Sequence, residues 1–300
     1  MTLQDQTIFP QWVRETRVPV PLPPPKSCDC QFHIYGDPVK YPPKPDAYYQ
    51  PPKASFEDAR GVLKALGIER GVIVHPMPYD TDHRLLIDTL AGLSAPERKN
   101  FRATGIIKDG VSEATLRELD SLGVCGARFN FGRRYEGVQS GAAILRSIDR
   151  ARELGWHARL HVTGDDIETD PNFLRSIKGI NCVVDHMAHL HFERGLDQPA
   201  CRWLVNMLKN EGWWMMLSNG NRDSKMESGF DDAVPFAQMF IAAAPERMIW
   251  ATDWPHVNWR KPRMMNDAET LELLYRYVDN DKALLQKILV ENPARLHGFD

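Results

Sequence analysis

Two hydrophobic patterns alternate along most of this chain. Apolar residues recur at helical spacing in segments such as 55–66, and unbroken apolar runs such as 71–74 follow them, as expected of helices joined by buried parallel strands. The eight apolar runs lie at about 29–33, 71–74, 103–107, 124–128, 156–162, 181–185, 213–217 and 248–252. Eight strand–helix units in about 270 residues have the number and size of a (β/α)8 TIM barrel.

The alternative arrangement is a doubly wound sheet, but no Gly-x-Gly-x-x-Gly motif follows the first predicted strand. We therefore expect an α/β barrel as one domain over residues 28–300. Residues 1–27 are expected to form a proline-rich arm, because twelve of the 22 prolines lie within the first 52 residues and proline fixes φ and lacks an N–H donor. Such an arm is expected to pack across the bottom of the barrel or onto a neighbouring subunit of a homo-oligomer.

The composition narrows the partners and the compartment. A net charge of −3 gives no reason to expect nucleic acid or an anionic membrane surface as a partner. No apolar run approaches the roughly 20 residues that span a bilayer, and the first residues lack the pattern of a secretory signal. The five cysteines are odd in number and include no Cys-x-x-Cys, which predicts neither disulfides nor a zinc knuckle and favours the cytoplasm.

Polar side chains follow the predicted strands, at the barrel end where active sites form. They are Gln31 and His33 after strand one, Arg128 and Arg134 after strand four, His161 after strand five, His186 after strand six, Arg222 after strand seven, and Asp253 and His256 after strand eight. Asp253 is the strongest candidate, because an unpaired carboxylate at the end of the apolar run 248–251 would be costly to bury. The histidines and arginines could each have a structural role instead, as hydrogen-bonded residues or salt-bridge partners.

Two chemistries are open to this set of residues. In one, His33, His161 and Asp253 bind a divalent ion that activates water. In the other, the histidines and Gln31 donate hydrogen bonds to a carbonyl oxygen, and Asp253 deprotonates water. Gln31 is a poor metal ligand, no lysine ends strand four, and Arg128 would repel a cation, so we favour a site without a metal or other cofactor. The three arginines, Arg128, Arg134 and Arg222, predict an anionic, doubly charged small molecule as the ligand.

The chain resembles the amidohydrolase superfamily, in the branch of 2-pyrone-4,6-dicarboxylate lactonase, over about residues 29–299. The matching motifs are Asp29-x-x-Phe32-His33, Gly126-Ala127-Arg128-Phe129-Asn130, Asp185-His186, Thr252-Asp253-Trp254-Pro255-His256 and Glu291-Asn292-Pro293-Ala294. Thr-Asp-Trp-Pro-His after a strand is quite specific to this branch.

That branch is metal-independent, and the resemblance implies roles for individual residues. Asp253 would be the general base, and His33 and His186 would polarise the lactone carbonyl. The positions that match substrate-contacting residues are Arg128, Arg134 and Arg222 for carboxylates, Tyr49 (or Tyr48) for a loop tyrosine, and His256 nearby.

Gln31 departs from the lactonase pattern, in which this position is histidine. Glutamine here is similar to D-galactarolactone isomerase, and sulfomuconolactone hydrolases are a third similar group. We therefore expect a hydrolase of a small anionic lactone, acting on a carboxylic ester. The alternatives are a lactone isomerase, a divalent-metal-dependent amidohydrolase or decarboxylase, and a non-catalytic binder of small anions.

Overall fold

Eight parallel strands, hydrogen bonded in chain order, form the centre of the protein. The structure is a computed structural model that describes residues 11–131 and 140–300. The strands are β1 (Cys28–Phe32), β2 (Arg70–Val74), β3 (Phe101–Gly105), β4 (Val124–Asn130), β5 (His157–His161), β6 (Cys182–Val184), β7 (Trp214–Leu217) and β8 (Met248–Trp250). Their number, order and parallel direction confirm the predicted (β/α)8 barrel.

The barrel closes where the chain beyond β8 meets β1. Phe32 forms a parallel bridge with Trp254, and the Asp253 N–H donates to the Gln31 carbonyl at 3.0 Å. Asp29 strengthens this seam, because its carboxylate accepts from the Thr252 N–H at 3.1 Å. Closure therefore brings the Thr252–His256 motif directly beside the Asp29–His33 motif.

Helices cover the outside of the barrel. They are α1 (Phe56–Leu66), α2 (Arg84–Ala91), α3 (Ala95–Asn100), α4 (Glu113–Ser121), α5 (Gly141–Glu153), α6 (Gly164–Thr169), α7 (Pro171–Ser176), α8 (Pro199–Asn210), α9 (Gly220–Asp223), α10 (Val234–Ala243), α11 (Asp267–Tyr277), α12 (Lys282–Gln286) and α13 (Asn292–His297), with a π-helical turn Lys287–Glu291 between the last two. Helix α1 shows how the sequence sets the bounds of a helix: Ser55 and Asp58 form a capping box at its start, and Gly67 ends it at a φ of 73°.

The strands separate an inner apolar cluster from an outer one. Along β2, Val72 and Val74 belong to the inner cluster whereas Ile73 belongs to the outer cluster under the helices, as the two-residue period of a strand requires. Phe299, near the end of the chain, also joins the inner cluster. The C-terminal residues thus close the barrel at the bottom, opposite the carboxyl ends of the strands.

A β-bulge in β1 positions two predicted site residues. Asp29 pairs with Gly71 and Phe32 pairs with Ile73, so three steps along β1 match two along β2. Such a bulge changes which face the following side chains occupy. Here it lets Gln31 and His33 face the barrel interior.

Residues 11–27 contain no helix or strand and run up the wall of the barrel. The Tyr275 hydroxyl on α11 donates to the Pro21 carbonyl at 2.9 Å, and the Arg17 guanidinium pairs with Glu272 on the same helix. Further up, the Trp12 ring packs edge-on against Trp254, with centroids 4.9 Å apart. The described part of the arm, residues 11–27, therefore reaches the carboxyl ends of the strands instead of crossing the barrel's bottom. The division of the chain at residue 28 stays a prediction.

No helix in the described residues has the length and apolar character that crossing a membrane requires.

Candidate active site

A cavity of about 720 Å³ opens at the carboxyl ends of the strands. The predicted residues that line it are His33, Tyr48, Tyr49, Arg128, His161, His186, Arg222 and Asp253. Gln31 and His256 are described but do not line it, and Arg134 lies outside the described residues. The fold therefore brings most of the predicted set together, from six different strands or the loops after them.

Asp253 accepts three hydrogen bonds at the floor of this cavity. Its Oδ1 accepts from Gln31 Nε2 at 2.7 Å and lies 3.4 Å from His33 Nε2. Its Oδ2 accepts from Asn219 Nδ2 at 2.9 Å and from Arg222 Nη2 at 3.0 Å. Because these three partners donate and one of them is a guanidinium, the site stabilises an ionised carboxylate.

The electrostatics of Asp253 agree with this geometry. Burial alone would raise the pKa of the Asp253 carboxyl, but His186, Arg222 and His33 together hold that pKa well below its usual range. The carboxylate is consequently charged at neutral pH and able to accept a proton. Its basicity is low as long as all its partners remain in place.

Both ring nitrogens of His33 face hydrogen-bond acceptors. Nδ1 lies 2.8 Å from the Val74 carbonyl oxygen, and Nε2 lies 3.4 Å from Asp253 Oδ1. A carbonyl can only accept, so Nδ1 carries a proton, and a proton on Nε2 turns the contact with the carboxylate into an ion pair. His33 lines the cavity, so a proton on Nε2 can be donated to a bound ligand.

Gln31 lies beneath these residues, with no exposed surface. Its Oε1 accepts from Arg159 Nη2, so its NH2 group must point the other way, toward Asp253 Oδ1 and, at 3.1 Å, His186 Nε2. The NH2 group donates to both, so His186 Nε2 is an acceptor and its proton lies on Nδ1, 2.8 Å from Ser218 Oγ. Gln31 therefore orients the base and one histidine from below, and does not reach a substrate itself.

Arg159 is the residue of this network that the sequence analysis missed. It is fully buried in the barrel, and its guanidinium donates to the Cys30 carbonyl at 2.9 Å, to Gln31 Oε1 and to Asp185 Oδ1 at 2.7 Å. The alternation His157, Arg159, His161 along β5 was a signal for it, because residues two apart share the inner face.

Asp185 links two arginines at the centre of the barrel. Oδ1 accepts from Arg159, and Oδ2 accepts from Arg128 Nε at 2.9 Å. Burial would raise the pKa of Asp185, but the two guanidinium groups hold it far below its ordinary value. Asp185 therefore binds the Nε edge of the Arg128 guanidinium, while Arg128 also lines the cavity, and its predicted contact with a substrate carboxylate stays a prediction.

His161 is a neutral imidazole in this arrangement. Arg128 Nη2 donates to His161 Nδ1 at 2.9 Å, which assigns the proton of His161 to Nε2. Burial, reinforced by the charge of Arg128, lowers the pKa of His161 well below its ordinary value. His161 can therefore donate one hydrogen bond from Nε2.

A left-handed turn follows β6 and carries His186 and His189. Four consecutive residues, His186 to His189, have φ values of 56°, 49°, 57° and 43°. Non-glycine residues adopt this conformation at a cost, and such strain is concentrated at functional sites. The turn places both imidazoles in the cavity wall, where His189 Nδ1 lies 3.0 Å from an Asp223 carboxylate oxygen.

The histidines that the fold brings together differ from the predicted metal ligands. Within the described part of the chain, His161, His186 and His189 form a group whose ligand atoms lie within 4.8 Å of one another. Neither this group nor the other such group includes His33 or Asp253. The predicted set of His33, His161 and Asp253 is therefore not the arrangement of nitrogen and oxygen atoms that this fold offers to an ion.

The remaining two predicted residues lie at different depths. The Tyr49 hydroxyl is 2.7 Å from the Tyr35 hydroxyl, and its side chain lines the cavity. His256 is fully buried, with Nε2 2.8 Å from Asp267 Oδ1 at the start of α11. His256 thus anchors the loop after β8 to a helix instead of reaching the cavity.

Comparisons with known proteins identify relatives of this chain. The family model described as Amidohydrolase matches residues 28–299. The chain is 34% identical to a 4-sulfomuconolactone hydrolase of Hydrogenophaga intermedia, over 92% of this chain and 89% of that protein. It is 28% identical to a 2-pyrone-4,6-dicarboxylate hydrolase of Comamonas testosteroni, over 91% of this chain and 90% of that protein. A crystal structure of an Agrobacterium tumefaciens protein superposes with a TM-score of 0.81 at 26% identity, covering 94% of this chain and 99% of that one.

Proposed function

The chain belongs to the amidohydrolase family, and we propose that it is a lactonase that hydrolyses a small lactone bearing carboxylate or sulfonate groups. The named relatives are lactone hydrolases, which act on cyclic carboxylic esters. The observation that carries the proposal is the ionised Asp253 at the floor of the cavity, held between His33 and Arg222.

In the proposed mechanism, Asp253 acts as the general base. It takes a proton from a water molecule as the water oxygen attacks the lactone carbonyl carbon. The Nε2–H of His33 donates to the carbonyl oxygen, where negative charge develops. When the tetrahedral intermediate collapses, the ring C–O bond breaks and the departing oxygen recovers the proton from Asp253, which leaves a ring-opened acid.

His186 has a different role in this mechanism from the one first expected. Burial lowers the pKa of His186 well below its ordinary value, and its Nε2 accepts a hydrogen bond from Gln31. A neutral imidazole with its proton on Nδ1 cannot donate from Nε2 to a carbonyl. We therefore assign the polarising role to His33 and a positioning role to His186.

Arg222 supplies a link between substrate charge and base strength. Its Nη2 donates to Asp253, its Nη1 donates to the Val257 carbonyl at 2.7 Å, and its buried Nε has no hydrogen-bond partner among the described residues. Because Arg222 lines the cavity, an anionic substrate group that binds its guanidinium would draw it from Asp253. Loss of that partner would raise the basicity of Asp253 when the substrate is in place.

The cavity wall carries cations that can bind an anionic ligand. Lys225, Arg260 and Lys261 line the cavity in addition to Arg128 and Arg222, and the carboxylates Asp165, Asp166, Glu193 and Asp223 line it as well. A volume of about 720 Å³ is within the range typical of small-molecule sites. Carboxylate and sulfonate groups are the matching substituents, because guanidinium and ammonium groups donate hydrogen bonds to their oxygens.

Replacement of the proposed base tests this function. With 4-sulfomuconolactone and 2-pyrone-4,6-dicarboxylate as substrates of chelator-treated enzyme, Asp253→Asn should lower kcat about 10³-fold and leave substrate binding, measured by calorimetry, largely intact. Asp267→Asn is the matched control, because Asp267 is another buried carboxylate beside a histidine but lies outside the cavity. Turnover by Asp253→Asn at the wild-type rate would contradict the proposal.

A metal-dependent hydrolase is the second candidate, and the group of His161, His186 and His189 favours it. A divalent ion held by these residues would lower the pKa of a bound water. Turnover that survives chelation supports the metal-free mechanism, whereas activity only after a metal is restored supports this alternative.

Lactone isomerisation is distinguished by the product. Attack by water incorporates solvent oxygen, so hydrolysis in ¹⁸O-labelled water should label the ring-opened acid. An unlabelled isomeric lactone would establish isomerase chemistry instead.

We also propose that the protein is located in the cytoplasm. The five cysteines are free thiols, which supports a reducing cytoplasm. Assembly into a homo-oligomer stays a prediction.

A further inference from the structure

A second group of potential ligands lies at the bottom of the barrel, away from the cavity. Cys125 is the second residue of β4, His157 is the first residue of β5, and His297 is the last residue of α13. One sulfur or nitrogen atom from each lies within 4.8 Å of the others. Three elements that are far apart in sequence thus bring a thiol and two imidazoles together.

The distance between Cys125 and His297 agrees with the geometry of a metal site. Cys125 Sγ lies 3.6 Å from His297 Nδ1. A tetrahedral zinc ion with bonds of about 2.3 Å to sulfur and 2.0 Å to nitrogen separates those two atoms by about 3.6 Å. The rings of His157 and His297 are 5.0 Å apart and nearly perpendicular, so the third ligand lies beside the first two.

The His157 imidazole is buried without a hydrogen-bond partner. Among the residues that the structure describes, neither Nδ1 nor Nε2 of His157 has such a partner, although the residue is only 3% exposed. Buried polar atoms are usually partnered, and an exception needs an explanation such as an ion.

The backbone of β4 leaves room for the side chains of this group. A bulge in β4 falls at Cys125, because Ala103 pairs with Val124 while Thr104 pairs with Gly126. A Cβ at Gly126 would lie 2.4 Å from two atoms of the His157 ring. The bulge and the glycine therefore allow the thiol and the imidazole to occupy adjoining space.

We propose that Cys125, His157 and His297 bind one zinc ion, which fastens the C-terminal helix α13 to the bottom of the barrel. Thiolate and imidazole are ligands that zinc prefers, and three protein ligands leave a fourth position for water. The ion would act together with Arg102, whose Nη2 donates to the Gly298 carbonyl at 2.6 Å.

Formation of the site releases the thiol proton, because zinc binds cysteine as the thiolate. This role is structural and is independent of the proposed lactonase activity.

Cobalt substitution tests the site, because a Co²⁺–thiolate bond has a charge-transfer absorption that nitrogen and oxygen ligands do not produce. We expect the metal-free full-length protein to bind one Co²⁺ with this absorption, Zn²⁺ to remove the absorption by displacement, and Zn²⁺ to raise the Tm. The active-site histidines include no cysteine, so an ion bound there would lack the thiolate signal.

Conservative variants decide the assignment. Cys125→Ser should abolish the thiolate absorption and the Zn²⁺-dependent rise in Tm, and His297→Asn should weaken both. Cys201→Ser is the matched control, because Cys201 is a buried free thiol on α8 outside the group, and both signals should persist. Cobalt binding without a thiolate absorption, or an absorption that survives Cys125→Ser, would overturn the proposal.

Discussion

At the scale of single residues, the Arg222 guanidinium donates directly to the proposed base, and its buried Nε has no hydrogen-bond partner among the described residues. Arg222 is one of the groups that hold the pKa of Asp253 below its usual range. The acid limb of the pH–activity profile should therefore depend on a residue that takes no part in proton transfer. This electrostatic effect of Arg222 can be measured separately from any effect on substrate binding.

The pH dependence of kcat/KM for the free enzyme measures this effect. Because the pKa of Asp253 is lowered, the base stays ionised as the pH falls, and the acid limb should lie below the ordinary range of aspartate. Arg222→Gln removes a positive charge, so the pKa of Asp253 should rise and the acid limb should move to higher pH.

Lys261→Gln provides the control for this shift. Lys261 also lines the cavity, but its ammonium group donates to the Ser224 carbonyl at 2.8 Å instead of to Asp253. The acid limb should stay in place in this variant. An unmoved limb in Arg222→Gln would contradict the electrostatic role.

The sequence identified the residues that line the cavity better than those beneath it. His33, His186 and Asp253 end apolar strands, and that pattern points to the carboxyl end of a barrel. The alternation along β5 indicates that Arg159 lies on the inner face, but its partners and the orientation of Gln31 were not predictable, because both depend on which side chains meet across the barrel interior. A charged residue in the middle of a strand gives no sign of its partner until the fold brings that partner close.

At the scale of elements, the left-handed turn after β6 is the least ordinary feature. It has no glycine, although four of its residues have positive φ values. Nothing in a short polar segment after a strand predicts such a conformation, so the sequence indicated the position of His186 but not its backbone. The bulge in β1 was not predictable either, because the register of a strand depends on the strand beside it.

Glycine substitution measures the strain in this turn. Ala188 has a φ of 57° and is fully buried. A left-handed residue with a side chain costs about 1–2 kcal/mol, and glycine removes that cost. The free energy of unfolding of Ala188→Gly, measured by denaturant titration, should therefore be close to that of the wild type or higher.

Ala151→Gly is the control for Ala188→Gly. Ala151 is equally buried but lies within helix α5, where glycine should destabilise by about 1 kcal/mol or more. Equal losses in the two variants would show that the turn is not strained.

At the scale of the whole molecule, the N-terminal arm connects the barrel wall to the catalytic end. The prolines predicted an extended arm, and residues 11–27 are free of helix and strand. Its direction was not predictable, since proline fixes the local backbone but not the surface on which an arm packs. The contact between Trp12 and Trp254, next to Asp253, came only from the structure.

Removal of the Trp12 ring should affect both stability and activity. Trp12 is 5% exposed, and its Nε1 donates to the Lys53 carbonyl at 3.1 Å. Trp12→Ala should lower the free energy of unfolding by about 3 kcal/mol and reduce kcat/KM, because Trp254 loses a packing partner beside the base. Thermal unfolding and steady-state kinetics measure the two effects.

Val18→Ala is the control within the same arm, because Val18 is 58% exposed and should tolerate the change. Wild-type stability and kinetics in Trp12→Ala would contradict a role of the arm at the site.

The ion pair between Arg222 and Asp253 also bears on selectivity among esters. An uncharged lactone that enters the cavity has no group to draw the guanidinium from the carboxylate. The base then keeps its low proton affinity, so such a molecule should behave as a competitive inhibitor and not as a substrate. Discrimination would arise in the rate of reaction and not in occupancy, which would spare neutral metabolites that fit the same space.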